Sequence, residues 1–154
     1  MIEIRHTGIY VNDIAGLEEF YKSIFDMKVI CSMEPDSGRL FDELLETENA
    51  AVMTTKLITE CGKIRGSGDM IELVKVTGEG VNPLSLPDNR PIIMTGMAHV
   101  AMGVADIKST VSKILTEGGK QKTSVITMKN GNMCCFCTDP EGNWIELIQR
   151  KEDV

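Results

Sequence analysis

At 154 residues the chain is sized for one domain with a substantial core, and its 42% apolar content is ordinary for a folded globular protein. Against 16 basic residues stand 23 acidic ones, and the resulting net charge of −7 repels phosphate backbones and anionic lipid surfaces, which excludes nucleic acid as a natural partner. No apolar run nears the roughly 20 residues that a bilayer span needs, and the opening residues lack the basic-then-apolar start of a secretory signal, so the expectation is a cytoplasmic protein with no membrane partner.

Residues 3–11 alternate as a strand would, with His6, Gly8 and Tyr10 on one face and Thr7, Ile9 and Val11 on the other. Asn12 and Asp13 supply a helix N-cap. From Ile14 the apolar positions change to helical spacing, Leu17, Phe20, Tyr21, Ile24 and Phe25, while Glu18 can pair with Lys22 on the wet side. Residues 28–33 read as a second strand and 34–38 as a loop by composition. Residues 40–45 are ambiguous, with a helical turn as one reading. Strands follow at 50–58 and 69–76, the latter carrying Glu72, with 61–68 expected as a loop. Residues 77–91 then turn to Gly, Asn and the prolines Pro83, Pro87 and Pro91, which cannot sit in a central strand.

The second half replays that order. A strand over 97–104 places His99, Ala101 and Gly103 on one face; Asp106 caps a helix whose Ile107, Val111, Ile114 and Leu115 point inward; Gly118 and Gly119 end it. Strands at 124–128 and 132–138 flank Asn130-Gly131, a pair suited to a tight hairpin. Asp139-Pro140-Glu141-Gly142-Asn143 turns the chain into a last strand over 144–149, containing Glu146. The fold class expected is therefore α+β, two tandem βαβββ modules within a single domain over 1–154. Module 1 covers residues 1–78, a linker 79–95 and module 2 residues 96–150.

The duplication is visible in the letters. His6, Val11, Asp13 and Ile14 recur as His99, Val104, Asp106 and Ile107 at a constant offset of 93, and these are the chain's 2 histidines. Each opening is answered by an Ile-Glu-Leu triplet, Ile71-Glu72-Leu73 and then Ile145-Glu146-Leu147. A repeat of this length occurring twice fits two copies of one supersecondary unit better than a solenoid. The first His-to-Glu interval is 19 residues longer than the second (66 against 47), and the surplus between residues 33 and 69 reads as a rim or lid.

Glu146 sits among Trp144, Ile145, Leu147 and Ile148 in a strand that reads as buried on both faces, where an ionised carboxylate is costly without a positive partner. Glu72, between Ile71, Leu73 and Val74, poses the same problem. A divalent cation held by His6, Glu72, His99 and Glu146 would resolve both costs. One histidine or one strand glutamate taken singly reads as an ordinary core or surface residue, but four at repeat-equivalent positions point to a ligand set. The five cysteines, Cys31, Cys61, Cys134, Cys135 and Cys137, lack paired Cys-x-x-Cys spacing and read as core or wall residues.

With its His-x4-Val-x-Asp-Ile openings, Phe20-Tyr21 on the first helix, and Asp139-Pro140-Glu141-Gly142-Asn143-Trp144-Ile145-Glu146-Leu147, nearly the whole chain resembles the vicinal oxygen chelate superfamily. That family includes glyoxalase I, methylmalonyl-CoA epimerase, extradiol dioxygenases and bleomycin- and fosfomycin-resistance proteins. The resemblance implies that the modules curl into a cupped mixed sheet with flanking helices around one divalent ion (Ni, Co, Zn, Mn or Fe) held by His6, Glu72, His99 and Glu146. It further implies a homodimer and a small-molecule substrate, an oxygen-rich metabolite or thiol adduct. The activity implied is that of a metal-dependent lyase or isomerase of the glyoxalase I type, moving a proton through a metal-stabilised enediolate or enolate. Glu146 is the first candidate base and Glu72 the second.

The Arg and Asn that help hold glutathione in bacterial-type glyoxalase I fall at Tyr10 and Val76 here, so the resemblance does not carry glutathione recognition. Three alternatives stand beside this reading. An acyl-CoA epimerase commonly has a His-His pair where this chain has Ala98-His99; a ring-cleaving dioxygenase usually has a further histidine; a non-catalytic binding or resistance protein generally lacks the four ligands.

Overall fold

In the computed structural model the described residues are 2–78, 91–93 and 95–153, so most of the expected linker over 79–95 lies outside them. They fall into two compact units, one within 1–85 and the other within 86–154.

In the first unit the order is β1 (Thr7–Tyr10), α1 (Ile14–Phe25), β2 (Lys28–Ser37), α2 (Arg39–Leu45), β3 (Ala51–Ile58), α3 (Glu60–Arg65) and β4 (Met70–Val76). The sheet runs β1-β4-β3-β2, with β1 parallel to β4 and the other pairs antiparallel. Asp13 caps α1 by accepting from the Gly16 amide at 3.0 Å. The helix buries Ile14, Leu17, Phe20, Tyr21 and Ile24, the stripe that the sequence spacing predicts, and packs on β2, β3 and β4. Phe20 and Tyr21 meet edge to face at 5.3 Å, and Tyr21 stacks on Phe25 at 6.0 Å.

The second unit repeats the plan: β5 (Val100–Gly103), α4 (Ile107–Thr116), β6 (Lys120–Gln121), β7 (Ile126–Thr127), β8 (Met133–Thr138) and β9 (Trp144–Gln149), with a 3-10 turn at Lys151–Asp153. Its sheet runs β5-β9-β8-β6, and β7 also pairs with β8. The parallel pairs β1·β4 and β5·β9 correspond, down to the amides of Val11 and Val104, which each donate at 2.9 Å to Val74 and Ile148 respectively. Asp106 accepts from the Ser109 amide as Asp13 does from Gly16. The fold is α+β, as the sequence leads one to expect.

Several local expectations are corrected. Residues 34–38 continue β2 instead of forming a loop, and Pro35 is tolerated because β2 is the edge strand and needs no second partner. Residues 61–68 hold α3, capped by Thr59 through the Gly62 amide at 3.0 Å, where composition suggested only loop. Leu115 faces outward at 52% exposure, because α4 buries Ile107, Thr110, Val111 and Ile114 and its stripe is narrower than the one expected. The strands expected over 3–11 and 97–104 shorten to Thr7–Tyr10 and Val100–Gly103, which leaves both histidines just ahead of their strands. That expected over 124–128 shrinks to Ile126–Thr127, with the two-residue β6 ahead of it.

Gly118 and Gly119 show two different reasons for glycine. Gly118 takes φ +85°, beyond the reach of most L side chains. A Cβ at Gly119 would lie 2.5 Å from the Thr138 carbonyl and 2.6 Å from Ile114 Cγ2, so α4 can close on β8 only without it. No helix among the described residues is long and apolar enough to cross a membrane.

Candidate metal site

Both glutamates sit on the parallel pair at the heart of their sheet. Glu72 on β4 lies between Gly8 of β1 and Lys56 of β3, and Glu146 on β9 between Ala101 of β5 and Phe136 of β8. His6 and His99 precede Gly8 and Ala101 by two residues, so the strand period turns each imidazole to the face of its glutamate. In the first unit His6 Nε2 lies 3.1 Å from Glu72 Oε2, and in the second His99 Nε2 lies 3.1 Å from Glu146 Oε2. The order His, Glu, His, Glu thus becomes two copies of one imidazole–carboxylate pair, each within its own unit.

Strand β9 is not buried on both faces. Ile145, Leu147 and Gln149 are buried, while Trp144, Glu146 and Ile148 alternate on a partly open face. In β4 Ile71 and Leu73 are likewise buried and Glu72 is on the other face. The glutamate side chains keep 19% and 21% exposure, so their charges do not demand a cation merely to exist. Glu72 also has a positive partner that the sequence reading missed, Lys56, whose Nζ is 3.1 Å from Oε1.

The surroundings of the two pairs differ. Glu146 Oε1 accepts from the Cys134 thiol at 3.1 Å, and burial, with the carboxylate's contact second, pushes that thiol up to about 11. Phe136, the residue opposite Glu146, stands edge-on to His99 at 5.3 Å, and Trp144 lies beyond it at 6.2 Å. The 3.1 Å between imidazole and carboxylate is an ordinary hydrogen-bond length. It is also the separation of two donors that each lie about 2.1 Å from one ion, at roughly right angles. His99 Nδ1 is buried without a hydrogen-bond partner among the described residues, so the ring's only polar engagement is through Nε2. Imidazole nitrogen with carboxylate oxygen is a donor set that suits a borderline divalent ion. Among the described residues, no three His, Cys, Asp or Glu side chains are grouped to hold an ion.

The loop before β9 explains how Glu146 is placed. Asp139, 1% exposed, accepts from the amides of Glu141 at 3.0 Å and Asn143 at 2.9 Å and from the Asn143 side-chain amide at 2.8 Å. Gly142 takes φ +90° in that turn. With the turn fixed, Thr138 pairs with Trp144 and every later residue of β9 falls into register. This is why the Asp-Pro-Glu-Gly-Asn run precedes the acid.

Of the neighbours that reading the sequence missed, Cys134 could have been found, since the fixed turn sets the β8·β9 register. Lys56 could not, because 60–69 between β3 and β4 do not read as a turn of defined length.

Two α+β units of one topology, each presenting an imidazole and a carboxylate side by side on the open face of its sheet, define a duplicated βαβββ protein. The chain belongs to the Glyoxalase/Bleomycin resistance protein/Dioxygenase superfamily, whose family model matches residues 3–147. It is 31% identical over 151 residues to a "Probable lactoylglutathione lyase" of Synechocystis sp., covering 95% of this chain and 94% of that one. To a protein of the same name in Vibrio parahaemolyticus it is 28% identical over 150 residues, covering 97% and 91%. Among solved structures, a glyoxalase family protein from Bacillus cereus superposes with a TM-score of 0.79 at 19% identity, covering 97% of this chain and 94% of that one.

Proposed function

We propose that the protein is a metal-dependent lyase or isomerase of the glyoxalase I type, acting as a homodimer on a small oxygen-rich metabolite or thiol adduct. His6 and Glu72 of one unit and His99 and Glu146 of the other would hold one divalent cation. The observation that supports this most is the repetition of the His–Glu pair at 3.1 Å in both units. Sequence similarity to two proteins named as lyases supports the reaction class.

When bound, the cation supplies Lewis-acid stabilisation to the oxyanion that develops as the carbon beside a carbonyl loses its proton. Glu146 is the better candidate to carry that proton. Its partners are an imidazole and a thiol, and a weak S–H bond is readily given up, whereas Glu72 is tied to the full charge of Lys56. Phe136 stands edge-on to His99, with Trp144 beyond it, and gives that side of the pair an aromatic surface.

Elemental analysis of wild type, His99→Ala and Glu146→Gln tests the ligand set. Metal in the wild type and its loss from both variants is expected; equal content in all three removes the site. Deuterium exchange from solvent into α-hydroxy ketones, hemithioacetals and acyl thioesters then tests the proton transfer.

One observation favours a second reading. Lys56 neutralises Glu72 without a cation, as suits a protein that sequesters a small molecule and performs no reaction. Wild-type protein purified from metal-replete medium without bound metal would decide for that reading.

A further inference from the structure

Beside the His6–Glu72 pair the first unit carries a second feature, a pocket of about 360 Å³, within the range of small-molecule sites. Its walls combine two chemistries. Val29, Ile30, Ile58 and Met70 give an apolar floor, and Arg5, Lys28 and Lys63 bring three cations; among the described residues no carboxylate lines it. In a chain of net charge −7 such a concentration of positive charge needs a reason. Arg5 is paired with Glu3 at 3.0 Å, whose carboxylate also accepts from the Ser67 hydroxyl at the pocket edge, and Lys28 is paired with Asp26 at 2.6 Å. Lys63 makes no ion pair among the described residues. Val29 and Ile30 are 40% and 53% exposed, an apolar surface open to a ligand.

Sheet register ties this pocket to the candidate site. Lys28 is opposite Ile58 and Ile58 opposite Met70, one row across β2, β3 and β4; Lys56 and Glu72, opposite each other, form a second row two residues along. Residues two apart on a strand share a face and lie about 7 Å apart. The pocket and the Lys56–Glu72 pair are therefore neighbours on one face of one sheet.

We infer that this pocket binds the anionic end of an elongated ligand, a carboxylate or phosphate borne on an apolar chain, whose other end runs along the sheet face to Lys56 and Glu72. Lys63 and Lys28 recognise the anion and Ile58 and Met70 the chain behind it. Anion binding stands on the pocket alone; that the ligand is the substrate rests on the metal-dependent reading above.

Calorimetric titration with hexanoate, hexyl phosphate, hexan-1-ol and inorganic phosphate separates the contributions. One equivalent of hexanoate or hexyl phosphate should bind per chain, with hexan-1-ol and inorganic phosphate each at least tenfold weaker. Whichever of the two amphiphiles binds more tightly identifies carboxylate or phosphate as the preferred head. The double variant Lys28→Met/Lys63→Met should lose at least tenfold in affinity and Lys63→Arg less than threefold, with the circular dichroism of each unchanged. Hexan-1-ol binding as tightly as hexanoate, or undiminished hexanoate binding in the double variant, overturns the assignment. Metal content measured on the same samples keeps the two readings apart. The lysine variants should retain the metal of the wild type, and hexanoate binding that survives Glu72→Gln while metal is lost supports the pocket independently of the metal.

Discussion

Lys56→Met removes the ammonium 3.1 Å from Glu72 Oε1 and keeps an unbranched apolar stem. In the metal-free protein the change should matter little. The lysine side chain is 39% exposed, and ion pairs so placed contribute about 0–1 kcal/mol. A divalent cation on the same carboxylate alters the balance, because it competes with the ammonium for Glu72 and is repelled by it. A single and a double positive charge about 5 Å apart repel by ~1.7 kcal/mol even at the dielectric of water. Lys56→Met should therefore tighten divalent binding by about tenfold or more, equivalent to ~1.4 kcal/mol. Lys56→Arg retains the charge and should stay within about threefold of wild type. Calorimetric titration of manganese and zinc into the three metal-free proteins measures this. Unchanged or weaker affinity in Lys56→Met would refute the placement of the cation at Glu72, and equal gains in the Met and Arg variants would refute the role given to charge.

Three further outcomes are expected. Asp139→Ala removes a buried acceptor of three hydrogen bonds, each worth about 1–1.5 kcal/mol, and should cost ~3–4 kcal/mol in urea denaturation; a loss below about 1 kcal/mol would mean that the turn holds itself. Gly119→Ala forces a Cβ against the Thr138 carbonyl and should cost about 2 kcal/mol or more, exceeding Gly118→Ala, whose penalty is the ~1 kcal/mol of a left-handed backbone; the reverse order in the same assay would contradict the packing of α4 on β8. Burial raises the thiols of Cys134 to about 11 and Cys137 to about 12, so the thiolate fraction at pH 8 is small, growing as pH rises toward those values, whereas Cys61 is exposed. A thiol reagent at pH 8 should therefore show no more than two fast equivalents, from exposed Cys61 and half-buried Cys31, and more than one fast equivalent in Cys61→Ser would contradict the burial of β8.

What the letters disclosed and what they hid divide along physical lines. The helices α1 and α4 were legible because capping aspartates and a 3.6-residue apolar stripe act locally, and β9 because a five-residue turn fixes where it starts. The His–Glu pairing was legible through duplication, since two copies of one unit repeat whatever each brings together. Leu115 misled because sequence spacing gives the direction of a stripe but not its width, which the neighbouring sheet decides. The extent of β2 was hidden for a related reason. Pro35 argues against a strand only if both edges must bond, and edge position is a property of topology that no local window contains. The apolar run around Glu146 suggests two covered faces, but Trp144 and Ile148 share its open face and only the other is covered.

The two units part company in the neighbours of their His–Glu pairs. Lys56 and Phe136 hold equivalent places, each directly opposite the glutamate of its unit, and one is a cation while the other is an aromatic ring against the histidine. Sheet geometry does not explain that difference, because the register around Glu72 and Glu146 is the same. The surplus residues of the first unit add α3 and with it Lys63 and one wall of a cationic pocket, on the same face as Lys56. The second unit instead sets Phe136, Trp144 and the Cys134 thiol beside its pair. Since the His–Glu pairs are alike, discrimination between ligands must come from these neighbours. If both pairs hold one cation, as proposed, a ligand with an anionic end would be oriented by Lys28 and Lys63 of the first unit, while Phe136 and Trp144 of the second offer aromatic rings beside the shared ion.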